Sequence, residues 1–216
     1  MKRGAIFDMD GTLFDTEKLY WQAWIETADT FGLERKPEMP KVMSGASIPT
    51  LLSRIPQFFP QVDPNEYLNR VFARVKKNIE ENLEMKSGVV EILTYLKENN
   101  FSIAIASSSD TESIRKNILR TGIDKFFDAI IGGDQVTKGK PAPDIFLLAA
   151  KKINVPPSDC YIFEDSMNGI RAAYAANSAP IMVIDMIEPT PDIKKLCTGI
   201  FNNMLEALDA IKRGDI

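Results

Sequence analysis

The sequence predicts an α/β fold, an open parallel sheet with helices on both faces, interrupted once by an all-helical insertion. Three observations predict it. Short apolar runs recur at Ala5-Ile6-Phe7, Ser102 to Ala106, Ala129-Ile130-Ile131, Tyr161-Ile162-Phe163 and Ile181 to Ile184. Each is too short for a helix and lacks alternation, as strands buried on both faces do. Amphipathic stretches separate most of the runs, so strand and helix alternate. Between about Thr16 and Glu84 the alternation stops and only helical patterning remains.

The elements follow in order. The first run ends at Asp8. Five prolines (37, 40, 49, 56 and 60) then punctuate the front of the insertion. Asp63-Pro64-Asn65-Glu66 is a helix start, with Asp at the N-cap, Pro in the first turn and Glu three residues on. Leu68, Val71, Phe72, Val75 and Ile79 trace one apolar stripe beyond it. Val89, Val90, Leu93 and Leu96 have helical spacing, as do Ile145, Leu148 and Ala149. The expected organisation is a core of residues 1–15 and 85–216 and an insertion of residues 16–84, joined by two crossings.

Composition narrows the chemistry. The chain has 216 residues, 44% apolar and 26% charged, which suits one large domain or a domain with a subdomain rather than a disordered chain. Its net charge of −4 provides no nucleic-acid footprint. With no histidine in the chain, Ser-His-Asp and Cys-His catalysis and imidazole zinc sites are excluded. Cys160 and Cys197 fit no ligand spacing and read as small buried hydrophobes in a reducing compartment. No apolar stretch has the length of a secretory or membrane segment, so a cytoplasmic protein is expected.

In an open parallel sheet, ligands bind beyond the carboxyl ends of the strands. Here the first strand ends in Asp8 and Asp10, the second in Ser107-Ser108-Ser109, and the fourth in Glu164-Asp165. The loop after the third leads to Lys140-Pro141. Gly11 permits the curl that turns both Asp8 and Asp10 into one crevice. Carboxylates gathered there would repel one another unless a hard cation sat between them, and oxygen ligands without histidine point to Mg²⁺. Hydroxyl donors, an ammonium and Mg²⁺ together describe a clamp for a phosphoryl group.

Four strings in order carry a resemblance: Asp8-Met9-Asp10-Gly11-Thr12-Leu13-Phe14-Asp15-Thr16-Glu17, Ile105-Ala106-Ser107-Ser108-Ser109, Gly139-Lys140-Pro141-Ala142-Pro143-Asp144-Ile145-Phe146 and Phe163-Glu164-Asp165-Ser166-Met167-Asn168-Gly169-Ile170. The chain resembles the haloacid dehalogenase superfamily, in its beta-phosphoglucomutase-like phosphatase branch, over nearly its whole length. The resemblance implies a Rossmann-like core with a helical cap. It also implies Asp8 as nucleophile, Asp10 as general acid/base, and Ser107, Ser108 and Lys140 as phosphate ligands. Asp8, the Asp10 carbonyl and Asp165 would hold Mg²⁺, with Glu164 in or next to that shell. The substrate would be a small phosphorylated metabolite, met by a monomer with no nucleic-acid or membrane partner.

Substrate choice is expected from the cap. Gly45-Ala46-Ser47 stands where family members carry a substrate-contacting loop. Arg70, Arg74 and Lys77 share a helix face that is either solvated or attracts an anion. Trp21 and Trp24 are either core or a sugar-stacking platform. Where the mutases of the branch carry cations for a second phosphate, this chain has Ile48 and Asp110-Thr111, and Tyr20 replaces a histidine. Phosphatase chemistry is therefore expected over phosphosugar mutase chemistry. A receiver-type signalling domain and a catalytically silent scaffold are the readings of other classes; Asp10 and the cap speak against the receiver, and the full set of motif residues against the silent scaffold.

Overall fold

A computed structural model describes residues 2–44, 46 and 48–216. Its strands are β1 (Gly4–Phe7), β2 (Ser102–Ala106), β3 (Ala129–Ile131), β4 (Cys160–Glu164), β5 (Ala179–Val183) and β6 (Gly199–Phe201). They form one six-stranded sheet in the order β3-β2-β1-β4-β5-β6, and every pairing is parallel. This is the order of a Rossmann sheet, with its switch point between β1 and β4. The α/β class and the parallel sheet are as expected.

The sheet is covered on both faces because its strands are apolar apart from Ser102 at the start of β2 and Glu164 at the end of β4. Every residue of β1, β4 and β5 is buried. The core helices are α5 (Val89–Glu98), α6 (Thr111–Thr121), α7 (Asp144–Lys152), α8 (Met167–Ala175), α9 (Pro191–Lys194) and α10 (Met204–Arg213). The apolar side of α7, with Ile145, Phe146 and Ala149, joins Ile6, Ala104 and Ile162 in one buried cluster. The sixth strand was not expected. It is a half-buried edge strand of three residues, and such a strand leaves no continuous buried run in the sequence. Cys160 is fully buried, and burial pushes its thiol up to about 12; Cys197 is half-buried and pushed up to about 11.

The chain forms two compact units, residues 1–14 with 85–216, and residues 15–84. The division thus falls one residue before the expected one, with Asp15 on the insertion side. At the crossing Phe14 forms an antiparallel bridge with Met85, made by the Asp15 N–H to the Glu84 carbonyl and the Lys86 N–H to the Leu13 carbonyl, each at 2.9 Å.

The insertion, or cap, contains α1 (Glu17–Thr27), α2 (Met39–Met43), α3 (Ile48–Phe58) and α4 (Pro64–Asn82). Asp63 caps α4 by accepting from the Glu66 N–H at 2.9 Å. Leu68, Val71 and Val75 of the stripe are buried, whereas Phe72 is 40% exposed. The cap core closes around Tyr67, whose hydroxyl donates to the Trp24 carbonyl at 2.9 Å while Phe31 and Phe59 pack on its ring. Trp24 belongs to that core; Trp21 is only half-buried. The cations of α4 have acidic neighbours: Arg70 pairs with Glu66, Arg74 faces Glu26, and Lys77 faces Glu81. Among the described residues, no helix is long and apolar enough to cross a membrane.

Candidate active site

The candidate site lies at the carboxyl ends of β1, β2 and β4, on the core unit. The β1–β4 ladder runs one bond past the strand, since the Asp8 N–H donates to the Phe163 carbonyl at 2.9 Å. Phe7 and Phe163, the residues before Asp8 and Glu164, stack at 4.4 Å and form a rigid apolar floor. Asp8 and Glu164 are thereby held side by side, both buried.

Lys140 joins them. Its ammonium lies 2.5 Å from Asp8 Oδ1 and 2.5 Å from Glu164 Oε1, with all three side chains nearly excluded from water. The Phe146 ring, one turn into α7, backs the ammonium at 4.9 Å. Burial alone would favour neutral lysine, but the two carboxylates outweigh it and hold the ammonium above the usual lysine range. Burial pushes the Asp8 carboxyl well up; Lys140 opposes this, and Glu164 and Asp10 add to it. One ammonium does not balance the carboxylates around it.

Glu164 is fixed from two directions. Its Oε2 accepts the Ser166 N–H and the Ser166 hydroxyl, each at 2.9 Å, while Oε1 takes Lys140. Ser166 also caps α8, accepting from the Gly169 N–H. A Cβ at Gly169 would fall inside the Glu164 carboxylate, so only glycine leaves that space open.

Asp10 and Asp165 are braced separately. The Ser109 hydroxyl donates to Asp10 Oδ2 at 2.8 Å, and the Thr12 hydroxyl donates to Asp165 Oδ1 at 3.0 Å. Gly11 takes φ +77°, and a side chain there would collide with Asp165. Ser107 is buried; its N–H extends the ladder to the Ile131 carbonyl and its Oγ accepts the Ser109 N–H at 3.1 Å. Ser108 is exposed.

The predicted residues Asp8, Lys140 and Glu164 thus form one contact cluster, with Asp165 within reach of it. Oxygen atoms of Asp8, Glu164 and Asp165 lie within 4.8 Å of one another. An all-oxygen donor set, anionic in excess of its one ammonium, fits a hard divalent cation. Ala46 lies in the cap, while Gly45 and Ser47 lie outside the described residues. Four bracing residues had no role assigned from the sequence: Thr12, Ser109, Ser166 and Gly169. All stand inside the quoted strings, and the spacing of Ser166 two residues past Glu164 was the available signal.

Several known proteins are similar to this chain in sequence and fold. The family described as haloacid dehalogenase-like hydrolase matches residues 5–183. A Thermotoga maritima protein named phosphorylated carbohydrates phosphatase is 34% identical over 173 residues, 80% of each chain. Hexitol phosphatase B of Escherichia coli is 32% identical over 183 residues, 83% of this chain and 82% of its own. The crystal structure of a beta-phosphoglucomutase from Clostridium difficile superposes with a TM-score of 0.76 at 25% identity, covering 99% of this chain and 96% of that one. On its fold, its ordered motifs and these relatives, the chain belongs to the haloacid dehalogenase-like hydrolases.

Proposed function

We propose that this protein is a Mg²⁺-dependent phosphatase that hydrolyses a small phosphomonoester, a sugar phosphate or similar metabolite, through an aspartyl-phosphate on Asp8. The observation that carries the reading is the buried Asp8 carboxylate held by Lys140, with Asp10 braced by Ser109 on the same strand-to-loop turn. The names of the phosphatase relatives support it. The reading includes a cytoplasmic monomer.

In the first step a carboxylate oxygen of Asp8 attacks phosphorus and the ester P–O bond breaks. Asp10 donates its proton to the departing alkoxide, so a neutral alcohol leaves. In the second step water attacks the phosphorus of the aspartyl-phosphate. Asp10 takes the proton of that water, phosphate leaves and the Asp8 carboxylate is restored. Lys140 lowers the repulsion between anionic Asp8 and the anionic phosphoryl group, and Ser107 and Ser108 provide further donors at the end of β2. Glu164 orients Lys140. Asp8, the Asp10 carbonyl and Asp165, with Glu164 beside them, would hold Mg²⁺, which when bound would supply positive charge at the phosphoryl group.

Phosphatase chemistry is favoured over mutase chemistry by charge. Asp110 is spent on capping α6, accepting from the Ser113 N–H and hydroxyl, and those bonds hold its carboxyl below the usual range. It is therefore an anion at neutral pH, where a second phosphate needs a cation. The test is a panel of phosphomonoesters with Mg²⁺, assayed for free phosphate, alongside beta-glucose 1-phosphate primed with glucose 1,6-bisphosphate. Free phosphate, abolished by chelation and by Asp8→Asn in a folded protein, is expected. Glucose 6-phosphate formed in excess of phosphate would favour the mutase, and no turnover of either kind would favour the silent scaffold.

A further inference from the structure

A largely buried ion pair stands outside the machinery described above. Asp185 lies two residues past the end of β5, and its Oδ1 pairs with the Lys86 ammonium; the two side chains are 9% and 18% exposed. Asp185 Oδ2 is buried and has no hydrogen-bond partner among the described residues. Taking two charges out of water costs about as much as a buried pair returns, and apolar residues of similar volume often serve stability as well. Stability alone does not account for such a half-satisfied pair; what it holds in place does. Residues 9–14 turn back on themselves. The Leu13 and Phe14 N–H groups donate to the Met9 carbonyl at 2.9 and 3.1 Å, and the Gly11 N–H donates to the Phe14 carbonyl at 2.9 Å. The Lys86 N–H donates to the Leu13 carbonyl at 2.9 Å and straps this loop from outside. Thr12, next to Leu13 and fully buried, donates its hydroxyl to Asp165 Oδ1 at 3.0 Å. At the other end the Ile184 N–H, beside Asp185, donates to the Phe201 carbonyl of β6 at 2.8 Å. A continuous path thus runs from β6 through Asp185, Lys86, Leu13 and Thr12 to Asp165, and every residue on it belongs to the core unit.

We propose that Lys86 and Asp185 are positioning residues for the divalent cation: the pair fixes the loop that carries Thr12, and Thr12 aims Asp165 toward Asp8 and Glu164. The inference rests on the cation site proposed above and adds to it two residues that are not among its ligands. Outer partners of metal ligands set the direction of those ligands and, through it, the affinity. Groups that act along one path are not additive, since a path already cut loses nothing more when it is cut again. A pair that served the fold alone would show the opposite behaviour, a change in stability with no change in affinity for the cation.

The experiment titrates Mn²⁺, a hard cation with the same preference for oxygen ligands, into the phosphate-free protein and reads the free ion by electron paramagnetic resonance, with Mg²⁺ as competitor. Lys86→Met combined with Asp185→Leu removes both charges at similar volume and leaves neither buried alone. One cation site is expected in the unmodified protein, with its dissociation constant raised about fivefold or more in the double variant. Thr12→Val should raise it by about tenfold, and adding the double substitution to Thr12→Val should raise it less than about twofold further. Asp185→Asn, which keeps the shape and leaves Lys86 close to water, is a second variant and should raise it by about threefold or more. Lys86→Arg keeps the charge and should restore nearly the unmodified affinity. Unchanged affinity in both the double variant and Asp185→Asn overturns the proposal, as does a loss that persists in full on top of Thr12→Val. Absence of a cation site in the unmodified protein defeats the cation reading and the proposal with it, whereas a site that the substitutions leave untouched defeats only the proposal.

Discussion

Replacing Lys140 by methionine keeps the length of the side chain and removes its charge. The ammonium serves two carboxylates at once, 2.5 Å from each, and its own side chain is 7% exposed. Breaking a buried pair by removing one partner costs about 3–5 kcal/mol, because the remaining charge is left without compensation. At about 2–4 °C per kcal/mol for a chain of this size, the melting temperature should fall by roughly 6–20 °C. The deficit should depend on pH. Burial already raises the Asp8 carboxyl, and without Lys140 nothing on that side opposes the rise. A group whose pKa is raised on folding stabilises the fold below its unfolded pKa, near about 3.9 for Asp, and that contribution is lost as pH climbs through the raised value. The deficit of Lys140→Met should therefore be smaller at pH 5 than at pH 8. Calorimetry without divalent cation is the suitable assay, since both tryptophans lie in the cap and fluorescence would not follow the core. A deficit below about 1 kcal/mol, or one equal at both pH values, would show that Lys140 does not neutralise this cluster. Aryl-phosphate turnover should be lost at both.

Two further substitutions probe the bracing. Asp10→Ala should cost about 10²–10⁴-fold on an alkyl phosphate, whose alkoxide needs a proton, and markedly less on an aryl phosphate; equal losses would make Asp10 structural. Gly169→Ala should destabilise by about 1–3 kcal/mol, since its methyl group enters the space of the Glu164 carboxylate. Helix propensity alone would stabilise by up to about 1 kcal/mol, so the sign of the shift in urea midpoint decides between the two.

Much of the core was legible because its strands are buried on both faces, and burial on both faces leaves uninterrupted apolar runs. β2 and β3 coincide with runs visible in the sequence, β1 starts one residue before its run, β4 extends its run by one residue at each end, and β5 starts two residues before its run and stops one residue short of its end. β6 was not legible, since an edge strand needs apolar residues on one side only. The cap boundary fell one residue off, after Phe14 rather than after Asp15, at a crossing held by backbone hydrogen bonds that no side-chain pattern encodes.

For the site, the sequence by itself determined the residue types at the strand ends, and with them the chemistry available: carboxylates, hydroxyls and one lysine, with no imidazole. Strand ends in a parallel sheet share a rim, so residues far apart in the chain could be assigned to one crevice without coordinates. The tertiary structure alone decided how those groups divide. Glu164 spends both oxygens on Lys140 and Ser166, Asp10 leans on Ser109, and Asp165 leans on Thr12. These pairings span up to 153 positions and depend on side-chain direction within about an ångström, information that a one-dimensional pattern does not hold.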